Sequence, residues 1–330
     1  MTSGCAWQPL RMAIEETTTP GTEQEGWPAL PLDRWQDTRD TVHLWTQIVG
    51  KLRLALAPAV NHWWHAPLYV DARGLTTSLM PYGRTGVEVV LDFTDHRLAV
   101  LTTDGRSRRM ALEPRSVADF HAEFRSLLAE LGLDVPPAGS PVEVAEAIPF
   151  AEDGTHAAYD RDAVHRFWTS LVSAHRVLST FRGEFRGKAS PVHFFWGAFD
   201  LATTRFSGRG APQHPGGVPH CPDWVMREAY SEEVSSCGYW PGGSAEGGFY
   251  AYAYPEPRGY REHVVDPAAA RFDEALGEFL LPYADVRTAA DPDGELLRFL
   301  RSTHEAAAVT AAWPEPPSHA VRAPGRWADA

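Results

Sequence analysis

Cysteine is scarce: Cys5, Cys221 and Cys237 are the only three among 330 residues, and no two form a C-x-x-C pair. That suits a reducing cytoplasm better than a disulfide framework, and a cytoplasmic location is expected. Long apolar runs are missing too. No stretch of 18 apolar residues occurs, so no membrane partner and no spanning helix is expected. Residues 1–26 are polar and rich in Thr, Glu and Pro, without the charged start and apolar middle of a secretory signal. They are expected to be a disordered N-terminal segment. Positive charge is in deficit: 30 Lys and Arg stand against 43 Asp and Glu, a formal charge of −13. A phosphate backbone needs a basic surface, so nucleic acid is not an expected partner. Walker loops, dinucleotide fingerprints, G-x-S-x-G elbows and kinase motifs are all absent.

What is present is ordinary globular material: 44% hydrophobic and 22% charged residues, with twelve Trp. The length suits two compact domains or one large domain of two halves. The chain reads as two halves. Arg39-Asp40-Thr41-Val42-His43 resembles Arg161-Asp162-Ala163-Val164-His165. The stripe Val42, Trp45, Val49, Leu52 and Leu56 matches Val164, Phe167, Leu171, Ala174 and Leu178, at the three–four spacing of an amphipathic helix. Asp37 or Thr38, and Asp160, are candidate N-caps. Extended segments follow each helix. Val87, Val89, Leu91 and Phe93 share a strand face before a hairpin turn at Thr94-Asp95-His96. In the second half Tyr250, Tyr252 and Tyr254 alternate with Phe249, Ala251 and Ala253. Each half is expected to close with a helix, Phe120, Phe124, Leu127, Leu128 and Leu131 matching Phe272, Leu276, Phe279, Leu280 and Tyr283. Ser116 and Asp266 would cap these two helices.

The expected fold class is therefore α+β: two diverged copies of a helix–antiparallel strands–helix unit, packed together. The first repeat spans 27–134 and the second 160–290. The linker 135–159 carries an edge strand, Val142–Ile148. A C-terminal helix and tail fill 291–330. Within the second repeat an inserted Gly/Pro/His-rich loop, 207–224, stands out, and such loops carry function more often than core elements do.

Several residues there point to chemistry. His193, His214 and Glu232 are a ligand set for zinc or non-haem iron, since imidazole and carboxylate hold both metals. Solvated loop histidines and one packed in a strand is the other reading of the same residues. Glu232 and Glu233 are candidate acid/base groups. Arg205 and Arg209, around a Ser-Gly turn, can hold an anionic substrate, or one of them can pair with Asp200. Trp63, Trp64, Trp196 and Trp240 can line a pocket, with His62 and His65 beside the first two. Cys237 is a conceivable nucleophile with no assignable partner.

The segments Asn61-His62-Trp63-Trp64-His65, Ala72-Arg73-Gly74-Leu75-Thr76-Thr77-Ser78, His193-Phe194-Phe195-Trp196-Gly197 and Arg205-Phe206-Ser207-Gly208-Arg209, with the Ser235–Gly243 turn, resemble a bacterial family of unknown function, number five thousand nine hundred and ninety-six among such domains. The resemblance covers residues 25–290. It implies no activity, since the family has none assigned. The expected function is a small-molecule enzyme, metal-dependent or not, with an aromatic pocket in or beside the second repeat. The alternative is a non-catalytic small-ligand-binding or scaffolding protein.

Overall fold

A computed structural model describes residues 26–243 and 245–314. The expectations for residues 1–25, including Cys5, and for the tail from 315 lie outside the described residues.

Helix α1 (Gln36–Leu56) buries Val42, Trp45, Val49 and Leu52, as the spacing requires. Its N-cap is Trp35, without a side-chain cap, and Asp37 and Thr38 fall inside the helix. Thr38 instead takes the Asp160 N–H at 3.0 Å. Six strands follow: β1 (Tyr69–Val70), β2 (Gly74–Thr76), β3 (Met80–Tyr82), β4 (Thr85–Asp92), β5 (Arg97–Thr102) and β6 (Ser107–Ala111). They form an antiparallel sheet in the order β1-β2-β4-β5-β6, with β3 paired to β4. Val89 faces Val100 and Leu91 faces Leu98 across the β4–β5 hairpin, so the expected strand face and turn both form. Helix α2 (Val117–Glu130) closes the unit, capped by the Ser116 hydroxyl, which accepts from the Asp119 N–H. Trp45 stacks on Phe120, ring centroids 4.6 Å apart, and so fixes α1 to α2.

The second unit opens with α3 (Arg161–Gly183), capped by Asp160 and burying its whole expected stripe. Then come β7 (His193–Phe195), β8 (Asp200–Gly210), α4 (Asp223–Ala229), β9 (Glu232–Trp240), β10 (Gly248–Tyr254), β11 (Arg271–Asp273), β12 (Glu278–Pro282), α5 (Tyr283–Thr288) and α6 (Pro292–Thr310). The strands form a second antiparallel sheet, ordered β11-β12-β10-β9-β8-β7. The fold is α+β, as expected. One core joins the units: Phe167 of α3 touches Trp35 and Phe93 on one side and Phe194 and Phe199 on the other. A bridge between Leu68 and Phe194, closed by two backbone hydrogen bonds of 2.9 and 2.7 Å, ties the sheets at their facing edges.

Four expectations fail locally. Residues 266–282 do not form a helix; Phe272 and Phe279 face each other in the β11–β12 hairpin. The Asp273 carboxylate accepts from the Ala275 and Leu276 N–H groups, and Gly277 takes φ +73°, so local turn chemistry overrides a helix-like spacing. The matching of that segment to α2 therefore falls. No strand forms at 142–148. Ser207–Gly210 extend β8 through a register shift instead of opening a loop or turn. Most of Ser235–Gly243 is strand β9, not a turn.

Candidate functional site

A pleated strand sends alternate side chains to opposite faces. On the second sheet, Leu201, Cys237, Tyr239, Phe249, Ala251, Phe279 and Leu281 point at α3 and α6 and are buried. The other face carries Asp200, Ser236, Tyr250, Tyr252 and Glu278. Register sets their spacing: Tyr250 lies opposite Gly238 and Tyr252 opposite Ser236, and Glu278 precedes Phe279 by one step, which puts it beside Tyr252. The three-Tyr alternation of β10 is thus all on this face.

The Tyr250 hydroxyl crosses strand β9 to donate to Oδ2 of Asp200. Gly238 makes the crossing possible, because a Cβ there would lie 2.5 Å from the phenol oxygen. Oδ1 of Asp200 is buried and has no hydrogen-bond partner among the described residues. The Tyr252 hydroxyl meets that of Tyr230 at 2.6 Å.

Glu143 is delivered to this face from the segment between the units. Helix α1 does the holding. Gln47 makes a two-point clamp on Val142, its Nε2 donating to the carbonyl and its Oε1 accepting from the N–H, both at 2.9 Å. One turn earlier His43 donates from Nε2 to the Gly197 carbonyl at 2.9 Å. The Glu143 N–H donates to Pro219 O at 2.9 Å, which brings in the inserted loop. Glu143 itself sits at φ +59°, and its carboxylate lies against Gly197, where a Cβ would be 2.1 Å from Oε1.

Three carboxyls therefore share this region, and no Lys or Arg pairs with any of them among the described residues. Burial pushes Asp200 up to about 7. Burial, then the Asp200 charge, pushes Glu143 up to about 7 and Glu278 up to about 8. Burial raises Tyr250 well above the usual phenol range and lowers His43 to about 4, so that imidazole is neutral. The arrangement can bind positive charge, donate hydrogen bonds from protonated carboxyls, and exchange protons near neutrality.

The residues singled out from sequence fall elsewhere. His193 pairs with Ala202 on β8 and Glu232 with Gly210, so the two stand about 25 Å apart along the strand. His193 is buried against Phe195 and Tyr69, and burial lowers it to about 3. His214 stacks on Tyr230 and Tyr254, and its Nδ1 accepts from the Gly216 N–H at 3.0 Å. The expected zinc or iron ligands are thus not brought together, and no group of three His, Cys, Asp or Glu among the described residues is placed to hold a metal.

Arg205 is buried over the Phe181 ring and donates to the Phe181 carbonyl, while Arg209 binds Glu233 and the Ala311 and Ala312 carbonyls at the end of α6. Arg209 is thus engaged, Arg205 keeps a buried Nε with no hydrogen-bond partner among the described residues, and neither pairs with Asp200. Glu233 is spent on Arg209 and Ser207. Cys237 is buried, and burial pushes its thiol up to about 12, which removes it as a nucleophile. The tryptophans serve separate packing sites. Trp63 meets Trp224, and Trp64 meets Phe206. Trp196 lies over Gly50 and donates to Ala66 O at 2.9 Å, while Trp240 ends β9 against Gly243.

Glu232 does join a polar cluster. Lys188 Nζ donates to Glu232 at 2.5 Å and to His62 Nε2 at 2.6 Å. His62 Nδ1 donates to the Ala229 carbonyl at 3.0 Å, which leaves Nε2 to accept. His62 and Trp63 hold this turn at φ +56° and +61°. Lys188 lies over the Phe206 ring.

The sequence profile of a family of unknown function (DUF5996) matches residues 27–319. The chain belongs to that family. Neither a curated protein nor a solved structure matches it. The DUF5996 match takes in both sheets and every residue of the acid–tyrosine face. Among the described residues no helix is long and apolar enough to cross a membrane.

Sequence reasoning missed Glu143 and Glu278 and gave Asp200 only a structural part. The tyrosine alternation was the one available signal for this face. Which strands flank β10, and where the 139–150 segment lands, is set by tertiary pairing that no local pattern displays.

Proposed function

We propose that the chain binds small cationic molecules, with the acid–tyrosine face of the second sheet as their site. The buried Oδ1 of Asp200, without a partner, carries this reading. A buried polar atom left unpaired costs about 1–3 kcal/mol, and a ligand N–H removes that cost. An ammonium or guanidinium group also supplies the positive charge that Glu143, Asp200 and Glu278 lack. Tyr250 and Tyr252 offer aromatic faces that attract cations. The ligand class is therefore a primary amine, polyamine or guanidinium compound, the reverse in charge of a substrate held by Arg205 or Arg209.

Catalysis at the same face is a second reading, favoured by one observation. Glu143 and Asp200 both sit near 7, so one can hold a proton while the other is ionised. Such a pair can serve as general acid and base on a bound amine.

Calorimetric titration with agmatine, spermidine and propylamine at pH 8 tests the first reading. We expect at least one to bind with a Kd below about 1 mM, and Asp200→Asn to weaken it at least tenfold. If none binds, or if the variant binds like the natural chain, the reading fails. Proton NMR of the bound amine over time tests the second: turnover that Glu143→Gln abolishes supports it, and an unchanged ligand spectrum rejects it.

A further inference from the structure

A concave region lies on the first unit, away from the acid–tyrosine face. Helices α1 and α2 and the segment after α2 border a groove of about 310 Å³. That volume falls within the range of small-molecule sites, about 300–1,000 Å³. Its walls are Ile48 and Leu52 from α1, Phe124 and Leu128 from α2, and Leu133 from the segment after α2. Val135-Pro136-Pro137-Ala138 run along one side as a strap. Tyr82 fixes the start of the strap, its hydroxyl accepting from the Asp134 N–H at 2.8 Å.

One buried side chain of the lining is polar. His121 lines the groove and is 5% exposed, and its Nε2 has no hydrogen-bond partner among the described residues. Native interiors leave few such atoms unpaired. Arg125 stands one turn further along α2, on the same side, and also lines the groove. It is exposed, is in no ion pair among the described residues, and its charge acts on the His121 ring. Asp134 lies at the rim, with its side chain exposed to water.

We infer that this groove binds a small monocarboxylic acid with an apolar tail. The carboxylate accepts from His121 Nε2–H inside and pairs with Arg125 at the mouth. The tail replaces water along Ile48, Leu52, Phe124 and Leu128. An alcohol of the same length keeps the tail contacts but forfeits the ion pair. Acetate keeps the head but has almost no apolar surface to bury.

The experiment is calorimetric titration of the full chain with octanoate, 1-octanol and acetate. Octanoate is expected to bind at least tenfold tighter than 1-octanol, with no measurable heat from acetate. Arg125→Gln, at an exposed position, should bring octanoate down to the 1-octanol level. Ala129→Trp, at the exposed rim, should abolish binding of both by filling the mouth. His121→Phe should cost at least tenfold; should that variant fail to fold, the other two decide. Absence of octanoate binding overturns the inference. So does 1-octanol binding as tightly as octanoate, or octanoate affinity unchanged in Arg125→Gln or Ala129→Trp.

Discussion

The two ends of strand β8 hold two polar clusters built on opposite principles. At the Gly210 end, Lys188, His62 and Glu232 satisfy one another: one cation, one carboxylate, and an imidazole with both nitrogens engaged. At the Asp200 end, three carboxyls share a region with, among the described residues, a single hydrogen bond from Tyr250 and no paired cation. The first cluster contains its own answer and serves to lock the 61–65 turn onto β9. The second is incomplete among the described residues. Proteins keep such uncompensated acid clusters at a cost in stability, and function is the usual reason.

The largest effect should separate the two ends outright. Asp200→Asn should weaken cation binding by about a hundredfold, because it removes the deepest charge of the site. It should also stabilise the fold at high pH. Asp200 titrates at 3.8 when free and at about 7 in the folded chain, so the native state binds a proton that the unfolded state has lost. Stability therefore falls as pH rises from 4 to about 7 and stays lowered above that. The melting temperature of the variant should match that of the natural chain near pH 4 and exceed it by roughly 3–8 °C at pH 8.

At the other end the opposite is expected. Lys188→Met leaves His62 Nε2 and Glu232 without their donor and should cost about 1–3 kcal/mol in denaturant unfolding. Amine affinity, measured by the same titration, should not move. A loss of affinity there would erase the distinction between the clusters. Tyr250→Phe is a milder probe. It removes the hydroxyl that donates to Asp200, and amine affinity should fall about tenfold with the fold retained by circular dichroism. The smallest effect belongs to Glu278→Gln. Affinity in the natural chain should rise with pH between 6 and 9 as the carboxyls ionise; the variant should lose the upper part of that rise, near 8.

The sequence displayed the scaffold better than the site. Stripes in α1, α2 and α3 read directly because each helix buries one face against a single core, and Ser116 and Asp160 cap where local chemistry says they should. The β11–β12 hairpin was misread because Phe272 and Phe279 keep a helical spacing while an Asp273–Gly277 turn reverses the chain between them. Histidines drew attention as ligands, yet His193 is a packed strand residue and His214 lies against Tyr230 and Tyr254. The carboxyls that matter come from three distant segments, and only the folded register and the Gln47 clamp bring them together.

Carbon-13 NMR of labelled Asp and Glu carboxyls, followed from pH 3 to 10, addresses the incomplete cluster itself. Asp200, Glu143 and Glu278, assigned through their Asn and Gln variants, should titrate near 7, 7 and 8, and a saturating amine should shift all three downward. Midpoints near 4 for all three, unmoved by any amine, would mean that these carboxyls are ordinary hydrated acids and that this face is no cation site.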